Sequence, residues 1–244
     1  VVDALIAEIH ADPPDLVAIS GDLTQGARRH EFRAARDFID RLGAPSLVVP
    51  GNHDLTPYRL IERFTAPYRR WHRAIADDTE PTWQDATTAV LGLNSARRLG
   101  LHYDWSRGRV THRRLAQLIA RLDALPAELM KVVVTHHPLM PPEGSPRTPV
   151  AGGAAAALAA FARHGVCLVL AGHLHRGYAR LAAPNGGLPL ILQGATSTSV
   201  RLRGEPNSYS RITLLPGTAP LVSVRVWDGR RWTDRGPLEA PGAV

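Results

Sequence analysis

"SLVVPGNHDL" (residues 46–55) sets a short β-branched run against three consecutive polar side chains. Leu47, Val48 and Val49 read as a buried strand, and Pro50-Gly51 stops it. Asn52, His53 and Asp54 follow at once, an amide, an imidazole and a carboxylate set where a core strand surfaces. Burying or crowding such groups costs free energy unless they find partners. Their placement therefore points to chemistry rather than packing.

The same arrangement recurs on either side. Residues 15–20, "DLVAIS", end in Gly21-Asp22. Residues 131–135, "KVVVT", end in His136-His137-Pro138, and residues 166–171 end in Gly172-His173-Leu174-His175. Helical spacing fills residues 1–11, 29–42, 57–76 (interrupted by Pro67), 111–124 and an Ala-rich stretch near 153–164, while 88–95 read as a further strand. From about residue 178 the texture changes to strand-like runs at 188–193, 209–215 and 221–227, separated by Gly, Pro and Asn. Alternating strands and helices followed by strands alone predict an α/β fold, with helices on a mostly parallel sheet completed by an antiparallel section. "PPEGSPRTP" (141–149) is expected to be a mobile loop.

In such a sheet the carboxyl ends of the strands form the rim where ligands bind. Asp22, Asn52 and several histidines are thereby delivered to one edge. Imidazoles, a carboxylate and an amide oxygen suit borderline divalent ions such as Mn²⁺, Fe²⁺ or Zn²⁺. Each preceding glycine lets the backbone turn sharply off its strand.

Composition bounds the rest. A chain of 244 residues, 44% hydrophobic, is expected to form one domain over residues 1–244, and no apolar run approaches a membrane span. Cys167 is the sole cysteine, which excludes an intrachain disulfide or a cysteine metal cluster and is compatible with a cytoplasmic location. The net charge of +7 raises the question of nucleic acid, but the basic residues are scattered arginines with Lys131 as the sole lysine, and aromatics make up only 6%. A nucleic-acid partner is not expected, although Arg69-Arg70, Arg97-Arg98 and Arg113-Arg114 would suit an anionic substrate. His30, His72, His102, His112 and His164 lack partner spacing and read as surface or capping residues, and the five tryptophans as packing residues. "TSTSVRLRGE" (196–205) offers hydroxyls and two arginines near the last histidine cluster.

Taken together, "GDLT", "GNHD", "THHP" and "GHLHR" resemble four of the five blocks of the calcineurin-like metallophosphoesterases, over roughly residues 15 to 215. The resemblance implies a β-sandwich of mixed sheets flanked by helices and a centre of two divalent ions. It also implies hydrolysis of a phosphoester, here a small phosphodiester such as a cyclic nucleotide. Carried over block by block, Asp22 would bridge the ions, Asn52, His136 and His173 would hold one of them, and His175 the other. His53 would contact the phosphate and protonate the leaving oxygen, oriented by Asp54. Position directly after the strand favours His136 over its neighbour, with His137 near the substrate or behind the ligands.

The fifth block, D-x-H, is absent: none of the aspartates is followed two positions on by histidine, and His10 falls within the first helix. Either an N-terminal strand precedes Val1 or one ion site is incomplete in this chain, with activity impaired. Two further readings follow, a non-catalytic relative binding a nucleotide or protein, and a nuclease. Metal content separates the first and steep salt dependence the second.

Overall fold

Parallel strands that read as unbroken apolar runs need cover on both faces, and the computed structural model supplies it. The structure describes residues 1–57, 59–98, 106–182, 189–202 and 204–237. A six-stranded sheet has the order β3 (Thr82–Gln84), β4 (Thr88–Leu93), β5 (Met130–Thr135), β6 (Val166–Ala171), β8 (Leu190–Gln193), β7 (Tyr178–Leu181). The four inner strands run parallel, and β3 and β7 close the edges antiparallel. A second layer comes in two pieces: the parallel pair β1 (Val17–Ile19) and β2 (Ser46–Val48), and the antiparallel set β9 (Ser208–Thr213), β10 (Leu221–Trp227) and β11 (Trp232–Pro237).

One apolar cluster joins the layers. Leu47 and Val49 from β2 and its exit pack with Val132, Val134, Leu168, Leu192 and Val222. The outer face of the large sheet is covered by α5 (His112–Asp123) and α6 (Ala154–Arg163), which bury Leu118, Leu122, Ala157 and Phe161. The outer face of the second layer is covered by α1 (Val2–Ala11), whose Leu5, Ile6 and Ile9 meet Trp232, and by α2 (Arg29–Arg41) with α4 (Arg69–Ala74). Glu8 of α1 accepts from the Tyr209 hydroxyl at 2.6 Å and pairs with Arg225, which ties the helix to β9 and β10. The result is the expected sandwich of mixed sheets between helices.

The expected elements form with small changes of boundary. The stretch around Pro67 divides into α3 (Leu60–Thr65) and α4, because Pro67 removes a donor and disfavours the helical conformation of Ala66. Three strands carry no sequence signal strong enough to predict them: β3, β7 and β11 are edge strands. Their partner's backbone supplies the pairing, so little apolar alternation is required. His30, His72 and His112 are exposed, and His164 pairs with Asp123 at 2.7 Å; His102 lies outside the described residues, as does residue 188 at the start of one expected strand. Among the described residues no helix is long and apolar enough to cross a membrane.

Candidate metal centre

The carboxyl ends of β1, β2, β5 and β6 meet at one rim, and the two glycine turns there interlock. Gly21 has φ +94°, and a Cβ on it would stand 2.6 Å from the Gly51 nitrogen and 2.9 Å from Nδ1 of His136. A Cβ on Gly51 would stand 2.1 Å from Oδ1 of Asp22 and 2.5 Å from its backbone nitrogen. Only glycine lets these two backbones approach so closely. Gly51→Ala is accordingly expected to displace Asp22, lowering stability by about 1–3 kcal/mol as overpacking does. It should also weaken metal binding by about 10–100-fold, the usual effect of disturbing the support of a ligand. Denaturation midpoints and metal titration of the variant would check both, and unchanged values would remove the interlock from the account.

Backbone strain marks the same rim. Among the described residues, the non-glycine positions with positive φ are Asp22 (56°), Ala27 (52°), His173 (76°) and His175 (57°). Such conformations cost about 1–3 kcal/mol each and gather where function imposes them. Three of these four are residues singled out from the sequence.

His136 lies at the centre. Its Nδ1 is 2.6 Å from the Ser20 carbonyl, which fixes that nitrogen as the N–H donor. Nε2 then presents a lone pair 3.2 Å from Oδ2 of Asp22 and 3.1 Å from Oδ1 of Asn52. Three acceptor atoms converging this closely need a cation or a proton between them. Burial opposes protonation of His136, but the Asp22 carboxylate outweighs it and raises its affinity for a proton. Burial likewise works to raise the Asp22 pKa, and the charge and hydrogen bond of His136, with a contribution from His53, pull it well below the usual carboxylate range. The donor set fits a divalent ion.

The ring of His173 is centred 5.2 Å from that of His136, and a ring nitrogen from each of His136, His137 and His173 falls within a 4.8 Å group. Burial, then the charge of His136, brings His173 down to about 4, so it is neutral and able to donate its lone pair at pH 7. His175, two residues on, is close enough for its charge to add to that depression.

Geometry gives the two adjacent histidines different surroundings. His137 belongs to the cluster by distance, yet both its ring nitrogens are engaged inside the protein. Nε2 donates to the Ser106 carbonyl at 2.8 Å, and Nδ1 accepts from Ser95 Oγ at 2.8 Å, whose oxygen accepts in turn from the His137 N–H at 3.1 Å. No lone pair is left for an ion. Burial holds its pKa well below the ordinary value, consistent with a neutral packing residue.

The expectation that Asp54 orients His53 is corrected by its hydrogen bonds. Asp54 is buried beneath the loop, where it accepts from the Gly51 N–H (2.9 Å), the Thr24 N–H (2.9 Å) and hydroxyl (3.0 Å), and more distantly from the Leu23 N–H (3.4 Å). Its role is to clamp the loop after β1 to the loop after β2. The exposed His53 ring is held instead by the Gln25 carbonyl, 2.8 Å from Nδ1, while its backbone N–H donates to Oδ1 of Asp22 at 2.9 Å. Burial, then the charge of Asp22, raises Asp54 to about 6.

Three positioning contacts escaped the sequence: the Ser20 carbonyl, the Gln25 carbonyl and Arg63. Backbone acceptors carry no signature. Arg63, 1% exposed, donates to the carbonyls of Leu55 (3.0 Å), Thr56 (3.2 Å), Arg97 (3.0 Å) and Arg98 (2.9 Å), binding the chain after His53 to the chain after β4. Two of the arginine pairs marked for substrate are also largely structural. Arg69 and Arg70 both pair with Glu62, and Arg114 donates to the Asn94 and Ala96 carbonyls. Beside Asn52 and His53 opens a cavity of about 430 Å³, lined further by Gln25, Arg28, Glu31 and Arg201.

A family profile described as calcineurin-like phosphoesterase matches residues 1–177. The chain belongs to this family. A glycerophosphodiester phosphodiesterase from Enterobacter lignolyticus is 28% identical over 138 residues, 57% of this chain and 47% of that protein. A probable cyclic nucleotide phosphodiesterase from Synechococcus is 36% identical over 59 residues, 24% of this chain and 23% of that one. The chain thus matches less than half the length of either relative. A dimetal phosphatase from Danio rerio shares the fold with a TM-score of 0.58 at 14% identity, covering 97% of this chain and 86% of that structure. This likeness concerns the fold, the sandwich of mixed sheets described above.

Proposed function

We propose that this chain hydrolyses a small phosphodiester, a cyclic nucleotide or a related diester, with divalent ions held by Asp22, Asn52, His136, His173 and His175. The observation that carries the reading is the convergence of the His136 lone pair, the Asp22 carboxylate and the Asn52 amide oxygen on one point. Bound there, divalent ions would supply Lewis acidity at the phosphoryl group and lower the pKa of water. The rest falls to the chain's own groups. With Nδ1–H held by Gln25, His53 keeps Nε2 for the leaving oxygen and acts as general acid. The two bacterial relatives, each named as a phosphodiesterase, support a diester.

Among the described residues the donors are unequally shared. One ion would have Asp22, Asn52, His136 and His173, a full set, and the other Asp22 and His175, fewer than the three or four usual for such sites. The chain stripped of metal and titrated with Mn²⁺ should bind one ion at least about tenfold more tightly than a second. It should then hydrolyse bis(4-nitrophenyl) phosphate in step with the ions bound. Hydrolysis that persists in the metal-free chain would sink the reading, and two equally tight ions would sink the unequal sharing.

A further inference from the structure

The cavity beside His53 does not end at His53. A second cavity of about 270 Å³ is lined by Gly26, Arg28, Arg29, Thr56, Arg59 and Arg70, and it shares Gly26 and Arg28 with the first. The two form a trough that leads from Asn52 and His53 out across the start of α2. Its charge is of one sign along most of that path. Arg201 stands at the near end, where its guanidinium faces the side-chain amide of Gln25, the residue whose backbone carbonyl holds His53. Arg29 and Arg59 stand exposed at the far end.

Among the described residues, the carboxylates beside the trough already have hydrogen-bond partners. Glu31 Oε2 accepts from the N–H groups of Gly26 (3.0 Å) and Arg28 (2.9 Å), and Glu62 takes Arg70 at 2.9 Å on both oxygens. A diester with one charge needs no such extension, since the metal centre already answers that charge. Guanidinium groups match phosphate geometry as planar paired donors.

We propose that this trough receives a second, non-scissile phosphate group, so that among small phosphodiesters the preferred substrate is one carrying a further phosphate. The inference rests on the hydrolase reading for the position of the scissile group, and it names Arg29 and Arg59 as residues that set specificity. Adenosine diphosphate and monophosphate differ by one phosphate and serve as probes. On the metal-free chain at low salt, measured by calorimetry, the diphosphate should bind about tenfold more tightly than the monophosphate. In the Arg29→Gln, Arg59→Gln double variant, whose changes are both at exposed positions, that ratio should fall to about two or less. The diphosphate, with Mn²⁺ in excess, should also inhibit hydrolysis of bis(4-nitrophenyl) phosphate competitively.

A ratio near one in the unaltered chain, a ratio that survives the double variant, or inhibition that is not competitive would each overturn the proposal. Hydrolysis of bis(4-nitrophenyl) phosphate, a single anion too short in charge to use the trough, reports on the hydrolase reading separately. Its absence alongside a preserved ratio would remove the activity and leave the anion site. Its presence with a ratio near one would do the reverse.

Discussion

Exchange of Asp22 for Asn is expected to abolish most metal binding and to lower kcat for diester hydrolysis by about 10³-fold, equivalent to about 4 kcal/mol of transition-state stabilisation. Asp22 uses both oxygens: Oδ1 accepts from the His53 N–H and Oδ2 faces Nε2 of His136. Asparagine tolerates the left-handed backbone that Asp22 adopts at φ 56°, so the fold has little reason to suffer. With its oxygen toward the His53 N–H, the new NH₂ would donate directly to Nε2 of His136. A protein hydrogen bond would then fill the place of the ion. The variant should therefore lose metal while its metal-free form keeps or gains stability. Metal analysis beside a denaturation curve would read both, and retention of metal at the unaltered stoichiometry would refute the ligand role.

Removal of the His53 side chain should give the opposite pattern. His53→Ala keeps the backbone N–H that Asp22 accepts, so metal content should be nearly unchanged. Loss of a general acid lowers kcat by about 10²–10⁴. The deficit should shrink when the leaving group is 4-nitrophenol, which departs without a proton, and grow with aliphatic alcohols. A variant that loses its metal, or one whose deficit ignores the leaving group, would show that His53 supports the site rather than serving the reaction. Gln25 sharpens the test, since its carbonyl holds Nδ1 from the backbone and survives any change of its own side chain.

Much of this protein is decided locally. The β-branched runs before Gly21, Gly51, His136 and Gly172 read as strands because a buried parallel strand must be apolar on both faces. The polar residues after them read as a rim because strands end where the core ends. Hence Asp22, Asn52, His136 and His173 were all legible. The edge strands β3, β7 and β11 were not, since their partners' backbones, rather than their own side chains, impose extension.

Other questions needed tertiary contact. Residues 136 and 137 are both histidines after one strand, and what separates them is Ser20, 116 residues away along the chain from His136, against Ser95 and Ser106 around His137. The same holds for Asp54, whose carboxylate turned out to serve Thr24 and Gly51 beneath the loop, and for His53, oriented by a backbone carbonyl that has no letter of its own. The sequence by itself determined which side chains reach the rim, because periodicity and chain direction act over a few residues. The tertiary structure decided what each one contacts there, because an imidazole's free nitrogen and a carboxylate's free oxygen are whatever distant partners leave unclaimed.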